Sequence, residues 1–184
     1  NSGIRTAVVA DWKYINDIAG AGGFPADVNT YVAPVDGDFA ASDAQVVADT
    51  IDLITNAASC NTPNCNSATF IFSYQVQVDE AGHSFGGGSP EYKQAVTNVS
   101  NNIADIMTAV DLWNAGHGPD EDWTVIVTTD HGHQQSVGFG HGFQSPNETS
   151  SFVIFQPSDG STAGQGLQNL GFSNVDITPT IVGL

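Results

Sequence analysis

Three short clusters of carboxylates, histidines and glycines carry the side chains whose types and spacing could do chemistry. They are Val78-Asp79-Glu80-Ala81-Gly82-His83, Thr128-Thr129-Asp130-His131-Gly132-His133 and Gly138-Phe139-Gly140-His141-Gly142. Carboxylates and neutral imidazoles are the ligands that Zn²⁺ and similar divalent ions bind in hydrolytic sites. Glycine next to such ligands lets the backbone fold closely around an ion. The three clusters together therefore predict a metal site.

Each cluster by itself has a simpler interpretation. Asp79, Asp130 or any one histidine could cap a helix, lie in a polar loop or be a hydrogen-bonded core residue. The coincidence of three clusters near predicted strand ends is what favours a metal site. His117, in a polar Gly-His-Gly loop, is interpreted as an ordinary surface residue. His133 either reaches the metal site or only lines its rim, and the sequence leaves both open.

Strands alternate with helices along the chain, and these elements must position the clusters. Apolar runs rich in β-branched and aromatic residues predict strands at residues 4–11, 29–34, 69–78, 123–129 and 151–156. Helices are predicted after a capping box at Ser42, ending near Asn56, and after a Ser89-Pro90 start. A short final helix is predicted at residues 180–184, and the glycine-rich residues 16–25 are predicted to be a loop.

Continuous apolar strands separated by helices predict an α/β fold, with a mostly parallel sheet covered by helices on both faces. We expect residues 1–184 to belong to a single domain. Ligands of such sheets bind beyond the carboxyl ends of the strands. Asp79 and Asp130 directly follow predicted strands, so the sheet is expected to bring their clusters together.

Charge and composition exclude several classes of function. The 184 residues contain 3 Lys or Arg and 20 Asp or Glu, which gives a net charge of −17. A nucleic-acid-binding surface is excluded because phosphate contacts need Lys and Arg, and adhesion to anionic membranes is disfavoured for the same reason. No apolar run approaches the roughly 20 residues that span a bilayer.

Several features favour a secreted or cell-surface protein. Cys60 and Cys65 are predicted to close a small disulfide loop, the alternative being two free thiols on a surface turn. N-glycosylation sequons begin at Asn98, on the polar side of its predicted helix, and at Asn147. Because Asn1 is not an initiator Met, we expect the chain to follow a processing step or to be part of something longer.

The ordered motifs resemble the alkaline phosphatase superfamily, and most closely its type I phosphodiesterase / nucleotide pyrophosphatase branch. The resemblance rests on an Asp-x-x-Gly-His motif, a Pro-x-Tyr at the start of a long helix, a Thr-Asp-His-Gly, a Gly-His-Gly and a closing Asp-x-x-Pro-Thr. These motifs are matched by residues 79–83, 90–92, 129–132, 140–142 and 176–180. The opening residues 2–9 also resemble the family's segment before a mid-domain strand.

The resemblance implies two divalent metal ions, with zinc the expected element, and a phosphate-ester substrate. Asp79, His83 and His141 correspond to the ligands of one ion, and Asp130 and His131 to two ligands of the other. The resemblance covers the later half of the family's catalytic domain, so the sheet is expected to lack its N-terminal strands. The family's nucleophilic Thr or Ser and a further metal-binding Asp would then lie in an upstream segment, or in a second chain, that completes the domain.

The resulting prediction is a secreted, metal-dependent hydrolase of phosphodiester or phosphomonoester bonds, present as the C-terminal part of its catalytic domain. The alternative, from another class, is a structural or assembly-forming extracellular glycoprotein that retains the hydrolase fold and metal ligands. The missing nucleophile and the acidic surface with its sequons motivate the alternative, and the intact set of ligands argues against it.

Overall fold

The computed structural model describes residues 4–56, 68–118, 121–135, 140–158 and 173–183. Within these ranges the strands are β1 (Thr6–Ala10), β2 (Val28–Tyr31), β3 (Phe70–Tyr74), β4 (Val125–Thr128) and β5 (Val153–Gln156). The helices are α1 (Lys13–Ala19), α2 (Phe39–Thr55), α3 (Gln77–Phe85), α4 (Pro90–Gly116), α5 (Pro146–Thr149) and α6 (Ile177–Gly183). None of the helices in these ranges is both long and apolar enough to cross a membrane.

A parallel three-stranded sheet with the order β2-β1-β3 forms the centre of the fold. β1 is the central strand because its sequence is apolar, and Ala7, Val9 and Ala10 are fully buried. α1 connects β1 to β2, and α2 returns from β2 to β3. Since crossovers of parallel strands are right-handed, these two opposite connections place α1 and α2 on opposite faces of the sheet. The predicted α/β class, with a parallel sheet and helices, is confirmed.

The last two strands differ from the prediction of one mostly parallel sheet. β4 and β5 pair antiparallel in a separate sheet, with Val125 opposite Gln156 and Thr128 opposite Val153. Parallel neighbours need a crossover connection, which is usually a helix. The described part of the connection from β4 to β5 contains α5, a helix of 4 residues. A helix this short does not form the crossover that a parallel pair needs, and β5 instead lies antiparallel beside β4.

Two hydrophobic clusters attach the long helices to the strands. Burying aliphatic or aromatic side chains of this kind contributes about 1.5–3 kcal/mol for each fully buried residue. The first cluster, between β1 and α2, consists of Ala7, Val9, Val46, Leu53 and Ala68. The second, between α2 and α4, consists of Ile54, Val110 and Trp113.

α2 begins earlier than its predicted capping box. Asp38 accepts a hydrogen bond from the amide of Ala41 at 3.0 Å and caps a helix that starts at Phe39. Ser42 therefore lies inside the helix, where its hydroxyl donates to a carboxylate oxygen of Asp11 at 2.7 Å. Ser42, which the local sequence predicts to be the N-cap, instead donates a hydrogen bond to the buried carboxylate of Asp11 at the end of β1.

α1 occupies part of the predicted loop at residues 16–25. The side-chain amide of Asn16 donates to Asn29 Oδ1 at 2.7 Å and to the carbonyl of Thr30 at 2.8 Å. These tertiary hydrogen bonds fasten a helix of 7 residues to β2. The helix ends at Ala19, directly before the glycine-rich stretch, so the loop prediction holds only beyond that point.

The start of α4 agrees with its prediction, whereas the final helix starts earlier than predicted. Ser89 accepts a hydrogen bond from the amide of Tyr92 at 3.0 Å, and Pro90 is the first helical residue. α6 begins at Ile177, after a 3₁₀ turn at Asn174–Asp176, and not at residue 180.

The predicted strand at residues 69–78 is shorter in the structure, and a helix replaces its last part. β3 ends at Tyr74, and α3 begins at Gln77. Two buried carboxylates explain this change. Asp43 Oδ1 accepts from the amides of Val76 and Gln77 at 3.0 and 3.4 Å, and Asp11 Oδ1 accepts from Val76 at 3.1 Å. The first backbone amides of a helix have no partner within the helix, so hydrogen-bond acceptors placed beside them stabilise its first turn.

Asp43 and Asp11 share one buried environment at the start of α3. Asp43 is fully buried. Burial, followed by the neighbouring Asp11 carboxyl, raises the pKa of Asp43 to about 9. Asp43 Oδ2 is buried and faces no hydrogen-bond donor of the described residues, which suits an oxygen that carries a proton itself. At neutral pH the pair therefore holds a proton.

The substitution Asp43→Asn is expected to raise the free energy of unfolding near pH 8 by about 1–3 kcal/mol. An unfolded aspartate ionises near pH 4, whereas folded Asp43 ionises at about 9, so the wild type loses stability as the pH rises through this window. Asparagine does not ionise and keeps an acceptor oxygen for the amide of Val76. Urea denaturation at a series of pH values measures the difference, which should vanish near pH 4.

Asp105→Asn, which changes an exposed carboxylate of α4, is the matched control. It should alter the free energy of unfolding by no more than about 0.5 kcal/mol at either pH. If Asp43→Asn destabilised the protein near pH 8, the cap of α3 would need an ionised carboxylate, and the prediction would be wrong.

Candidate metal centre

The predicted site is arranged about the carboxylate of Asp79. Asp79 lies in the first turn of α3, and His83 follows one turn later on the same face of the helix. His83 Nε2 is 3.3 Å from Asp79 Oδ2. The buried cap at the start of α3 therefore positions both residues.

Three histidines from other segments direct their Nε2 atoms toward the same carboxylate. Asp79 Oδ1 is 3.5 Å from Nε2 of His141, 3.7 Å from that of His133 and 4.0 Å from that of His131. His131 and His133 follow β4, and His141 lies ahead of α5. Four imidazoles from three separate segments of the chain thus converge on one carboxylate.

Potential ligand atoms form two sets, and the members of each set lie within 4.8 Å of one another. One set is Asp79, His131 and His141, and the other is Asp79, His83 and His133. The predicted triad of Asp79, His83 and His141 is divided between these two sets, with the ring centroids of His83 and His141 4.9 Å apart. The rings of His131 and His141 stack at 3.8 Å.

Asp130 is the predicted ligand that lies outside both sets. Its side chain is 61% exposed, and its Oδ2 is 3.8 Å from His131 Nε2. Its Oδ1 accepts a hydrogen bond from the amide of His131 at 3.0 Å. The structure therefore brings His131 into the cluster and leaves Asp130 at the solvent-facing rim beside it.

His133, whose role the sequence leaves open, is buried within the cluster. Its side chain is 2% exposed and packs against two glycines. A Cβ on Gly82 would lie 2.6 Å from His133 Nε2, and one on Gly87 would lie 3.2 Å from His133 Cβ. α3 and the residues directly after it approach the histidine this closely only because Gly82 and Gly87 have no side chain.

The donor set fits a divalent cation. Asp79 Oδ1 and both ring nitrogens of His133 are buried and have no hydrogen-bond partner among the described residues. Buried polar atoms in proteins are nearly always paired. Burial lowers the pKa of His133, so its imidazole is neutral near pH 7 and offers a lone pair. A carboxylate with several neutral imidazoles is the ligand chemistry of Zn²⁺ and related ions.

Glu148, which sequence reasoning missed as a site residue, fastens the loop ahead of α5. Its carboxylate accepts hydrogen bonds from the amides of Ser145 and Phe143, each at 2.9 Å, and from the side chain of Gln134 at 3.2 Å. The hydrogen bonds from Ser145 and Phe143 lower the pKa of Glu148 to about 2. The sequence signal for this role is the Ser-Pro-Asn-Glu capping box at residues 145–148, which overlaps the sequon at Asn147.

The predicted glycosylation sites differ in accessibility. Asn98 is half-buried, and its Nδ2, the atom that would carry a glycan, donates to Gln77 Oε1 at 2.8 Å. Asn147 is exposed in α5. The predicted disulfide between Cys60 and Cys65 lies outside the described residues.

Gly82→Ala is expected to weaken Zn²⁺ binding by at least about 10-fold, a size typical of changes that displace a metal ligand. The added methyl group must push α3 and His133 apart, since its Cβ would lie 2.6 Å from His133 Nε2. Calorimetric titration of Zn²⁺ into the metal-free protein measures the change. Gly116→Ala, with no atom within 4 Å of its Cβ, is the control and should bind like the wild type. Equal affinity of the two variants would contradict the proposed packing.

Comparison with known proteins agrees with the geometry. Residues 7–145 match the sequence profile of the type I phosphodiesterase / nucleotide pyrophosphatase family, and this range includes Asp79 and the four histidines that surround it. A search of curated proteins found no match. The family is one of hydrolases, so the match supports an enzyme that acts on phosphate esters and gives no support to the structural alternative. The chain belongs to the type I phosphodiesterase / nucleotide pyrophosphatase family of the alkaline phosphatase superfamily.

Proposed function

We propose that this protein hydrolyses phosphodiester or phosphomonoester bonds with the help of two divalent ions, in the first instance Zn²⁺. One observation carries the proposal: four histidine Nε2 atoms lie between 3.3 and 4.0 Å from the carboxylate oxygens of Asp79. Phosphate esters suit such a centre because their anionic oxygens bind divalent ions directly.

The two ions are assigned from the family resemblance, and distances support the assignment. Asp79, His83 and His141 would hold one ion, since Asp79 lies 3.3 and 3.5 Å from the two imidazoles. Asp130 and His131 would hold the other, with 3.8 Å between their ligand atoms. The stacked rings of His131 and His141 make the two sites neighbours, as a pair of ions about 3.5–4 Å apart requires.

Bound divalent ions would activate the phosphoryl group and the attacking oxygen as Lewis acids. The residues of the chain would position the ligand atoms around these ions. Asp79 and the histidines hold the ligand atoms in place. Burial, followed by the nearby charges of Asp130 and Asp79, raises the pKa of Tyr74 well above its ordinary value, so its phenol stays protonated and does not act as a base.

Recognition of an anionic substrate must overcome the charge of the chain. The net charge of −17 repels phosphate at long range, although physiological salt screens this repulsion beyond about 8–10 Å. Only 3 Lys or Arg are present to attract an anion. Affinity for phosphate esters is therefore expected to depend on the bound ions and not on basic side chains.

The proposed nucleophile is a Thr or Ser hydroxyl from a segment upstream of residue 1, supplied covalently or by a second chain. The same segment would contribute a further Asp to the ion at Asp130 and His131. This part of the proposal follows from the family resemblance, and it would complete the ligands of the ion assigned to Asp130 and His131.

Placement outside the cell is also part of the proposal. The Cys60–Cys65 pair and the two sequons support it, because disulfides and N-glycans belong to secreted and cell-surface proteins. Of the two sequons, Asn147 is the proposed glycan acceptor because it is exposed, whereas the Nδ2 of Asn98 is engaged by Gln77.

Hydrolysis of a chromogenic phosphodiester or phosphomonoester is expected to need both Zn²⁺ and the upstream segment. The 184-residue chain should show little turnover by itself, and a chain extended at its N-terminus should turn over until a chelator removes the metal. Asp79→Asn in the extended chain should lower kcat/KM by at least about 100-fold, because it removes a ligand at which four imidazoles converge.

Asp105→Asn is again the control, since that carboxylate is exposed on α4, and it should leave kcat/KM unchanged. A folded, zinc-loaded extended chain that hydrolyses neither ester would refute the proposed function. Robust turnover by the 184-residue chain would instead locate the nucleophile within these residues.

A further inference from the structure

We infer that His133 is a metal ligand, and that its Nε2 binds the ion held by Asp79 and His83. The inference rests on the proposed metal-dependent function and adds a residue that the family resemblance does not include. It also specifies a feature of the site that the sequence leaves undecided. Its basis is the burial of His133, the positions of its ring nitrogens and the packing that fixes the ring.

The ring nitrogens of His133 lack protein partners although they are buried. Both are inaccessible to solvent and make no hydrogen bond within the described ranges, and the side chain is 2% exposed. A neutral imidazole has one donor and one acceptor nitrogen, and leaving such groups unpaired in an interior is costly. A bound cation at Nε2 would give the acceptor nitrogen its partner.

His117, which is not a proposed metal ligand, shows how the ring of an ordinary histidine is packed and hydrogen-bonded in the same protein. Its ring stacks on Trp113 with centroids 3.7 Å apart, and its Nδ1 is 2.8 Å from the carbonyl oxygen of Trp113. Neither ring nitrogen of His133 has a partner in hydrogen-bond geometry within the described residues, and the backbone of Gln134 lies close enough only to oppose part of the fall in its pKa. The contrast argues against an ordinary core role for His133.

The positions of the ligand atoms suit a single ion. Metal bonds of about 2.0–2.2 Å in tetrahedral geometry place neighbouring ligand atoms about 3.3–3.6 Å apart. His133 Nε2 is 3.7 Å from Asp79 Oδ1, and His83 Nε2 is 3.3 Å from Asp79 Oδ2. The rings of His83 and His133 meet edge to face at 5.1 Å, so their nitrogens can point to one centre. The three ligand atoms all lie within 4.8 Å of one another.

The backbone around His133 holds its ring at this position. The amide of Gly87 donates to the carbonyl of Gln134 at 2.8 Å, and the amide of Gly88 donates to that of Gln135 at 3.2 Å. These bonds join the segment after α3 to the segment after β4. Together with the contact at Gly82, they restrict the ring before any ion binds, which reduces the entropy lost on binding.

The test is calorimetric titration of Zn²⁺ into the metal-free 184-residue chain and its variants. His133→Ala should weaken binding by at least about 10-fold, whereas His117→Ala should leave it unchanged. Added imidazole should restore affinity to His133→Ala, because it can enter the vacated space and bind the ion. A general loss of packing would not be corrected in this way.

Two further readouts do not depend on activity. The visible absorption of bound Co²⁺ should change in His133→Ala and return toward the wild-type spectrum with imidazole. His133→Phe fills the space without a ligand atom, so it should keep the metal-free melting temperature or raise it, and it should lose much of the rise that Zn²⁺ causes. This variant keeps the test decisive if His133→Ala does not fold.

The outcomes separate the inference from the function on which it rests. If the wild type binds Zn²⁺ and both His133 variants bind it with equal affinity and an unchanged Co²⁺ spectrum, the inference is wrong and the proposed function stands. If the wild type binds no divalent ion, the proposed function fails, and the inference fails with it. Loss of affinity in both variants, with rescue of His133→Ala by imidazole, supports the inference.

Discussion

The arrangement of this site depends on one constraint: the carboxylate of Asp79 is surrounded by imidazoles and needs a positive charge beside it. Within the described ranges, the ion pairs of Asp79 are all with histidines. Burial keeps His133 neutral near pH 7, so this ring cannot supply the charge. A divalent cation would satisfy the buried carboxylate oxygen of Asp79 and the lone pair of the buried His133 ring together.

Different hydrogen bonds and packing contacts fix the position of each segment that contributes to the cluster. α3 starts where it does because Asp11 and Asp43 accept hydrogen bonds from its first amides. The loop ahead of α5 is fixed by the buried carboxylate of Glu148. Gly132 lies so close to the carbonyl of Asn147 that no side chain fits there, and its amide donates to the carbonyl of Glu148. Carboxylates and glycines outside the metal centre therefore determine where its ligands lie.

Sequence patterns predicted the parts of this structure that depend on local chemistry. The start of α4 followed from Ser89 and Pro90, and the clusters at residues 79–83 and 129–133 followed from ligand type and spacing. Tertiary contacts decided the rest. The change from strand to helix after Tyr74 depends on Asp43, which is distant in sequence, and the role of His133 depends on the close approach of Gly82. No local pattern contains such contacts, so sequence alone left His133 undecided and missed Glu148.

The separation between the core and the metal centre has a consequence for stability. The hydrophobic clusters attach α2 and α4 to the strands, and they contain none of the proposed ligands. The fold therefore does not need an ion to form its core, unlike small domains whose folding depends on metal. A bound ion would order the contact of α3 with the segments after β4 and ahead of α5. At this contact the buried ring nitrogens of His133 and Oδ1 of Asp79 have no hydrogen-bond partner among the described residues. Metal binding should therefore raise local order at the site more than it changes secondary structure elsewhere, since its free energy acts where those atoms are unpaired.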